Sequence, residues 1–379
     1  MYRHIKAALA GLLVCLLCAA CGETAVEKPA ETSGGLRIDH SMELQYAENF
    51  SVDYCTDGAA LLTIVDGGRY LVVPEGQQPP ADLERDITVL QQPLDHIYLV
   101  ATAAMDLFAA LDGLDAITLS GTRAEDWYVE EARAAMEAGT IAYAGKYNAP
   151  DYERIVADGC DLAIESTMVY HTPEVQEKLT QFGIPVLVDR SSYESHPLGR
   201  MEWIRLYAVL LGKEAVADSR MAEQTAQLKA VTDGVVSGKS AAFFYITGNG
   251  AANVRKSGDY VAKLLSLAGG RYVFEDLGGE ENALSTVNLQ MEEFYATAKD
   301  ADVLIYNSTI GGELHSLDEL LEKSPLLKTC KAVQTGDVWC TTANMFQKTM
   351  CLGDMLVDFH TVLTDSHPPD RLGYLYRLE

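Results

Sequence analysis

The residues with chemistry to offer lie where apolar, strand-like runs give way to loops. Arg123 and Trp127 follow the run at 116–119, and Lys146 and Tyr147 follow 141–143, which itself ends on Tyr143. Tyr170 comes after 161–165, and Arg190 and Tyr193 come after 185–188. In the second half Asn249 and Arg255 follow 241–246, Asn307 follows 302–306, and Phe346 follows 338–340. Ligands of open α/β sheets lie beyond the carboxyl ends of the strands, so these side chains are the candidate binding set. Their types fit recognition. Trp127, Tyr143, Tyr147, Tyr170, Tyr193 and Phe346 supply flat apolar area, while Arg123, Lys146, Arg190 and Arg255 could pair with an anionic guest. Arg123, Arg190 and Arg255 are the strongest of these in so acidic a chain, although ordinary surface ion pairs would use them equally well.

Bond-breaking chemistry finds no comparable footing. The sequence contains no G-x-S-x-G, H-E-x-x-H or Walker A pattern, and Gly248-Asn249-Gly250 lacks the third glycine and the helix start of a dinucleotide fingerprint. No catalytic residue and no cofactor is therefore expected, and the reading is of a non-enzyme. Direct capture of a transition-metal ion would need three or four converging ligands, and the loop histidines His171, His196 and His315 are scattered.

The elements that must position these loops follow a repeated strand–helix grammar. Strands are expected at 97–101, 116–119, 141–143, 161–165 and 185–188, with helices at 103–111, 125–138, 151–157, 173–182 and 197–211. Gly212 stands at the natural C′ position of the last of these. From Lys213 to Asp233 there is no Pro or Gly, so 212–236 reads as one uninterrupted helix of roughly 30 Å. Its sparse apolar positions, Val216, Met221, Leu228 and Val231, make it a strut rather than a core. The grammar then resumes, with strands at 241–246, 272–274, 302–306 and 338–340, helices at 259–267, 291–298 and 317–322, and a closing helix at 343–363. Short loops between such units imply largely parallel sheets covered on both faces. Ahead of them, 60–65 and 69–73 flank Asp66-Gly67-Gly68, a hairpin signature. The expected fold class is α/β: two Rossmann-like lobes with mainly parallel sheets joined by one long backbone helix, plus an N-terminal β-hairpin extension. The corresponding segments are a signal at 1–20, a tether at 21–36, the extension at 37–93, lobes at 94–211 and 237–379, and the joining helix at 212–236.

A net charge of −26 over 379 residues argues against nucleic acid as a partner, because phosphate binding needs a Lys/Arg surface. Arg3, His4 and Lys6, then an apolar run at 7–17 and Ala19-Ala20-Cys21, resemble a bacterial lipoprotein signal with Cys21 as the lipidated residue. The usual Leu three places before that Cys is here Cys18, with Leu17 one place further out. The protein is thus expected outside the cytoplasm, lipid-anchored to the bacterial cell membrane. Five cysteines remain beyond the signal, Cys55, Cys160, Cys330, Cys340 and Cys351, at spacings that match no metal motif. The last three allow one disulfide, but buried thiols are expected for most.

The order of segments carries a resemblance. Tyr152 to Ile164 and Glu177 to Val188 resemble the N-lobe of the substrate-binding proteins of ABC importers for iron complexes, haem and cobalamin, the helical-backbone class. The runs 260–270, 291–296 and 302–305, and the segment from Ser324 to Trp339, are similar to its C-lobe. The resemblance covers roughly 93–363. It implies a monomer that binds an iron complex or corrinoid ligand between lobes that move little. It implies an ABC permease and its ATPase as partners, met through one carboxylate per lobe, at Glu153 and at Glu292 or its neighbour Glu293. A helix N-terminal acid would look the same locally. A ferric siderophore-type complex is the first expectation for the ligand, with cobalamin, another corrinoid or haem as the alternative.

Overall fold

The computed structural model describes residues 31–33, 35–233, 236–278 and 286–379. Cys21 and the signal lie outside the described residues. The first sheet runs in simple order: β1 (Glu31–Ser33), β2 (Leu36–Ser41), β3 (Phe50–Cys55), β4 (Ala60–Ile64), β5 (Gly68–Val73) and β6 (Ile87–Gln91), antiparallel except for the parallel β5–β6 pair. The expected hairpin is present as β4–β5, in the middle of a six-stranded sheet rather than alone. Period-2 alternation separates its two faces. Leu62, Ile64, Tyr70 and Val72 join the main core, whereas Leu61, Leu71 and Val73 pack with Leu36, Ile38 and Cys55 in a core of the sheet's own.

The N-lobe sheet has five parallel strands in the order β13-β12-β7-β8-β9: β7 (Ile97–Leu99), β8 (Ile117–Ser120), β9 (Ala142–Tyr143), β12 (Leu162–Ser166) and β13 (Val186–Asp189). A small pair, β10 (Gly145–Lys146) and β11 (Ala149–Pro150), stands apart. Helices α1 (Thr102–Ala110) and α2 (Glu130–Glu137) cover one face, and α3 (Tyr152–Asp158) and α4 (Pro173–Gln181) the other.

Two helices then lead to the second lobe. In α5 (Pro197–Leu211) thirteen of fifteen residues are buried, so it is apolar nearly all round, the mark of a helix inside a core. Pro197 opens it and Gly212, at φ 64, closes it. The long α6 (Glu214–Thr232) is the strut, burying Ala217, Met221 and Leu228 along one edge. It lies against α5 and, in the second lobe, α12 (Leu352–Thr364).

The C-lobe sheet is mixed. Parallel strands β14 (Ser240–Ile246), β18 (Val303–Tyr306) and β19 (Val338–Thr341) form its centre, with β16 (Arg271–Tyr272) parallel to the start of β14. Antiparallel β15 (Ala252–Arg255) and β17 (Thr286–Leu289) extend one side and β20 (Leu375–Arg377) the other. Helices α7 (Tyr260–Leu267), α8 (Met291–Ala298), α9 (Ser308–Gly311), α10 (Leu317–Lys323) and α11 (Lys331–Thr335) fill in between.

The closing helix starts later than expected. Residues 343–348 form an irregular stretch, and they clip this lobe to the other. The Gln347 carboxamide accepts from Tyr128 N at 2.7 Å and donates to Asp126 O at 2.9 Å. Thr349 Oγ1 donates to Ala103 O at 2.9 Å, and Asp106 accepts from Met350 N at 2.8 Å with Lys348 Nζ 3.6 Å away. No disulfide links Cys330, Cys340 or Cys351. Cys55, Cys160, Cys330 and Cys340 are buried free thiols and Cys351 is a half-buried one.

The N-terminal sheet is fastened to α5 through two buried carboxylates. Glu202 accepts from the backbone N–H groups of Gln45, Tyr46 and Ala47, and Glu194 from those of Glu48 and Asn49, all at 2.8–3.0 Å. Trp203 Nε1 also donates to Glu194 at 2.9 Å. At Gly199 a Cβ would come within 2.8 Å of Tyr46 O, so only glycine lets the 42–49 segment lie so close to the helix. Replacing Glu202 by Ala would leave three donors without an acceptor. We expect Glu202→Ala to cost about 3 kcal/mol or more in chemical denaturation, with faster amide exchange at 45–47. Unchanged exchange there would show that the carboxylate does not hold the segment.

Candidate functional site

The carboxyl ends of the N-lobe strands face the C-lobe across a cleft of about 220 Å³. From the N-lobe it is lined by Ala101, Thr102 and Ala103 after β7, Ser166 at the end of β12, and Asp189 and Ser192 around the end of β13. Arg255 at the end of β15, Tyr260 at the start of α7 and Phe346 line it from the C-lobe, and Arg200, in the first turn of α5, closes the floor.

The floor is electrostatically structured. Arg200 is 5% exposed, its guanidinium lies 4.2 Å from the Tyr260 ring centre, and its side chain makes no hydrogen bond or ion pair among the described residues; Nε is buried without a partner. The neighbouring carboxylates are already engaged. Asp189 accepts from Ser191 N at 3.0 Å, from Ser191 Oγ at 2.6 Å and from the Tyr207 hydroxyl. Asp259 accepts from Val261 N at 2.8 Å and from Arg255 Nη1 at 3.4 Å. Burial raises both carboxyls above the usual range, opposed by these hydrogen bonds and by the field of Arg200. Arg200 is thus the buried cation of the floor whose donors point at no protein acceptor.

Three more cation–ring pairs join expected site residues, one of them at the cleft. Arg255 lies 4.9 Å from the Phe346 ring centre, Arg123 lies 4.5 Å from that of Tyr143 where β8 and β9 end, and Arg190 lies 4.5 Å from that of Tyr193 after β13. Tyr170, exposed in the 3-10 turn after β12, donates to Asp66 O at 3.4 Å. Lys146 is exposed on β10, and Tyr147 packs half-buried on the outer core of the N-lobe. In the C-lobe Asn249 is exposed in the turn after β14, where its carboxamide accepts from the Thr247 hydroxyl. That turn borders a separate, larger hollow of about 580 Å³ formed by Thr247, Gly248, Ile310 and Lys323 within the C-lobe alone.

Two of the expected site residues serve the fold instead. Trp127 is 0% exposed and its indole donates to Ser120 Oγ at 3.2 Å, so both ring faces belong to the core. Asn307 is 1% exposed and caps α9 by accepting from Thr309 N at 3.2 Å. His196 likewise caps α5, accepting from Leu198 N at 3.1 Å, and stacks on Tyr46. Arg200 and Tyr260 are absent from the loop-based reading because they sit in helices. The signal for Arg200 was available, since a charged residue in a helix apolar on every side is a buried charge in need of a partner.

Glu153 in the first turn of α3 and Glu292 and Glu293 in the first turn of α8 are exposed, one helix on each lobe. A different acid, Glu165 of β12, is 0% exposed, and neither carboxylate oxygen has a hydrogen-bond partner.

Two α/β lobes facing one another across a helix-floored cleft define a bilobal binding protein. Residues 99–345 match the periplasmic binding protein family, and the chain belongs to it, in the helical-backbone class of ABC-importer substrate-binding proteins. An uncharacterized lipoprotein of Methanocaldococcus jannaschii is 24% identical over 356 residues, spanning 86% of this chain and 82% of the relative. Among solved structures, the periplasmic haem-binding protein HutB of Vibrio cholerae superposes with a TM-score of 0.58 at 17% identity, over 71% of this chain and 98% of that one. The ABC-type Fe³⁺-hydroxamate transport system protein of Saccharomonospora viridis gives a TM-score of 0.56 at 22% identity, over 72% and 94%. At these identities the likeness is one of fold. The six-stranded sheet lies ahead of the matched segment.

Burial pushes the Glu165 carboxyl up to about 8 from 4.5. The folded state then holds this proton more tightly than the unfolded chain, so the contribution to stability is complete below about pH 4.5 and is lost as pH rises toward 8. Relative to the parent, Glu165→Gln should remove up to about 1.4 kcal/mol of pH dependence per unit across that window. Parallel profiles of denaturation midpoint against pH for the two proteins would refute it.

Proposed function

We propose that the protein is an extracytoplasmic solute-binding lipoprotein that holds a ferric siderophore-type complex in the interlobe cleft and delivers it to an ABC permease. The observation that carries this reading is Arg200: a cation 95% removed from solvent, lining the cleft, with its hydrogen-bonding capacity free. An anionic oxygen of a chelate would complete it, since the guanidinium fork matches a planar oxyanion in charge and in shape. Arg255 with Phe346 would meet the same guest from the C-lobe. Pairs Arg123–Tyr143 and Arg190–Tyr193, with Tyr170, Lys146, Tyr147 and Asn249, stand farther out. A floor of about 220 Å³ is below the roughly 300–1,000 Å³ of small-molecule sites, so the chelate would place an acidic group on the floor and the rest of its bulk against the rim.

The family supports transport rather than turnover. Glu153 and Glu292, one exposed acid at the start of a helix on each lobe, are suited to pair with arginines of a permease. Lipidation at Cys21 would hold the protein at the membrane, and the lipoprotein relative supports that anchoring. The solved proteins of similar fold named above bind haem or serve hydroxamate transport, which keeps haem and corrinoids in the comparison.

Titration of the purified protein with an anionic ferric siderophore complex, haem and cyanocobalamin in parallel, followed by quenching of intrinsic fluorescence, tests the reading. The iron complex should bind in the low-micromolar range or tighter. Arg200→Ala should weaken it by roughly tenfold to a hundredfold, the size of one charge-assisted contact, and Arg200→Lys should restore only part. Binding of cyanocobalamin alone, or an Ala variant that binds the iron complex as well as the parent, would sink it.

A further inference from the structure

We infer that the N-terminal sheet belongs to the selectivity apparatus of the cleft, and that Asp66, at the tip of its β4–β5 turn, withholds Arg190 from anionic ligands. The inference rests on the cleft being the binding site, as proposed above.

Arg190 stands between Asp189 and Ser192, which both line the cleft, yet Arg190 itself is only 9% exposed. One side of its guanidinium is covered by Tyr193, and on another Asp66 Oδ2 lies 3.6 Å from Nη2. Asp66 is the more exposed partner, its side chain 79% accessible. An anion approaching Arg190 therefore meets a carboxylate already paired with it, and like charge repels it. By contrast Arg200 on the floor has no such companion. Of the guanidiniums lining the cleft, Arg200 is unpaired and Arg255 is paired with Asp259, while Arg190, between two lining residues in the chain, is neutralised by Asp66.

The turn is held in place from several directions. Tyr170 reaches the Asp66 carbonyl from the N-lobe, and Tyr70 of β5 donates to Val186 O on the edge strand β13 at 2.7 Å. Phe50 of β3 packs edge-on against Trp203 with ring centres 5.1 Å apart. Glu194, four residues beyond Arg190, is one of the two acids that fasten the sheet. Around the tip Val65, Met168 and Tyr170 are 40–45% exposed, an apolar lip to which both the sheet and the N-lobe contribute. The family match begins only at residue 99, so this sheet lies outside the family's matched segment.

The selectivity consequence is that a guest with one anionic group is preferred over one that presents several. The test uses Asp66→Asn. Asp66 has φ 51, a conformation that Asn tolerates about as well as Asp, so the turn keeps its shape while the charge is lost. Two probes differ in charge: the trianionic ferric complex of a tris-catecholate and the neutral ferric complex of a tris-hydroxamate. Asp66→Asn should tighten the tris-catecholate complex by about tenfold, as expected for one unmasked ionic contact, and change the neutral complex by less than about twofold. The double variant Asp66→Asn/Arg190→Ala should lose that gain. An unchanged ratio between the probes, a gain equal for both, or a gain that survives removal of Arg190 would overturn the inference while leaving the cleft assignment standing. If neither probe binds either protein, the cleft assignment falls and this inference with it.

Discussion

Everything in this molecule is arranged around charges buried along one helix. Within three residues α5 carries Arg200 and Glu202 inside an apolar shell, with Glu194 just before it. Ionised groups so far from water cost several kcal/mol each unless they find partners. Glu202 and Glu194 find theirs in a row of consecutive N–H groups at 45–49. The N-terminal sheet is therefore no loose appendage, because its backbone solves the solvation problem of the helix. Arg200 is treated differently: it receives a ring and the field of two already occupied carboxylates, and its side chain lines the cleft without a protein acceptor. One helix thus binds the extra sheet with its acids and faces the guest with its base.

The same helix explains how the lobes are related. α6 connects them along the chain, but α5 is the element on which α1, α7 and α12 all pack. The 343–351 stretch adds hydrogen bonds and an ion pair from the C-lobe to Asp106, Ala103, Asp126 and Tyr128 of the N-lobe. Lobes tied at the hinge by a buried helix and at the rim by such a clip can open only by breaking polar contacts, which favours small adjustments over wide closure.

Much of this was readable in the chain. Alternation of strand and helix patterns, Pro197 and Gly212 at the ends of α5, and the Gly- and Pro-free run of α6 located the lobes and the strut, since those signals are local. Nine strands among the described residues are not anticipated, β1, β2, β3, β6, β10, β11, β15, β17 and β20; most are short or polar, and all but β6, which runs parallel to β5, pair antiparallel, so what makes them strands is a partner rather than a pattern of their own. Residues 343–348 looked helical by composition but are drawn into the interlobe clip. The binding side chains divide along the same line. Of the loop arginines placed at strand ends only Arg255 lines the cleft, and Trp127 and Asn307 show that position says nothing about which way a side chain turns. Arg200 needed the burial of a whole helix to be recognised before its lone charge became informative.

Outside the cytoplasm disulfides form readily, yet the five cysteines among the described residues are all unpaired. Burial lifts the sulfhydryls of Cys55, Cys160 and Cys330 to about 11 and raises those of Cys340 and Cys351 as well. Only a thiolate attacks a disulfide or an oxidant efficiently, and at neutral pH these groups hold almost none. Thiols so buried can pass unpaired through an oxidising space without cross-linking to one another or to neighbouring molecules.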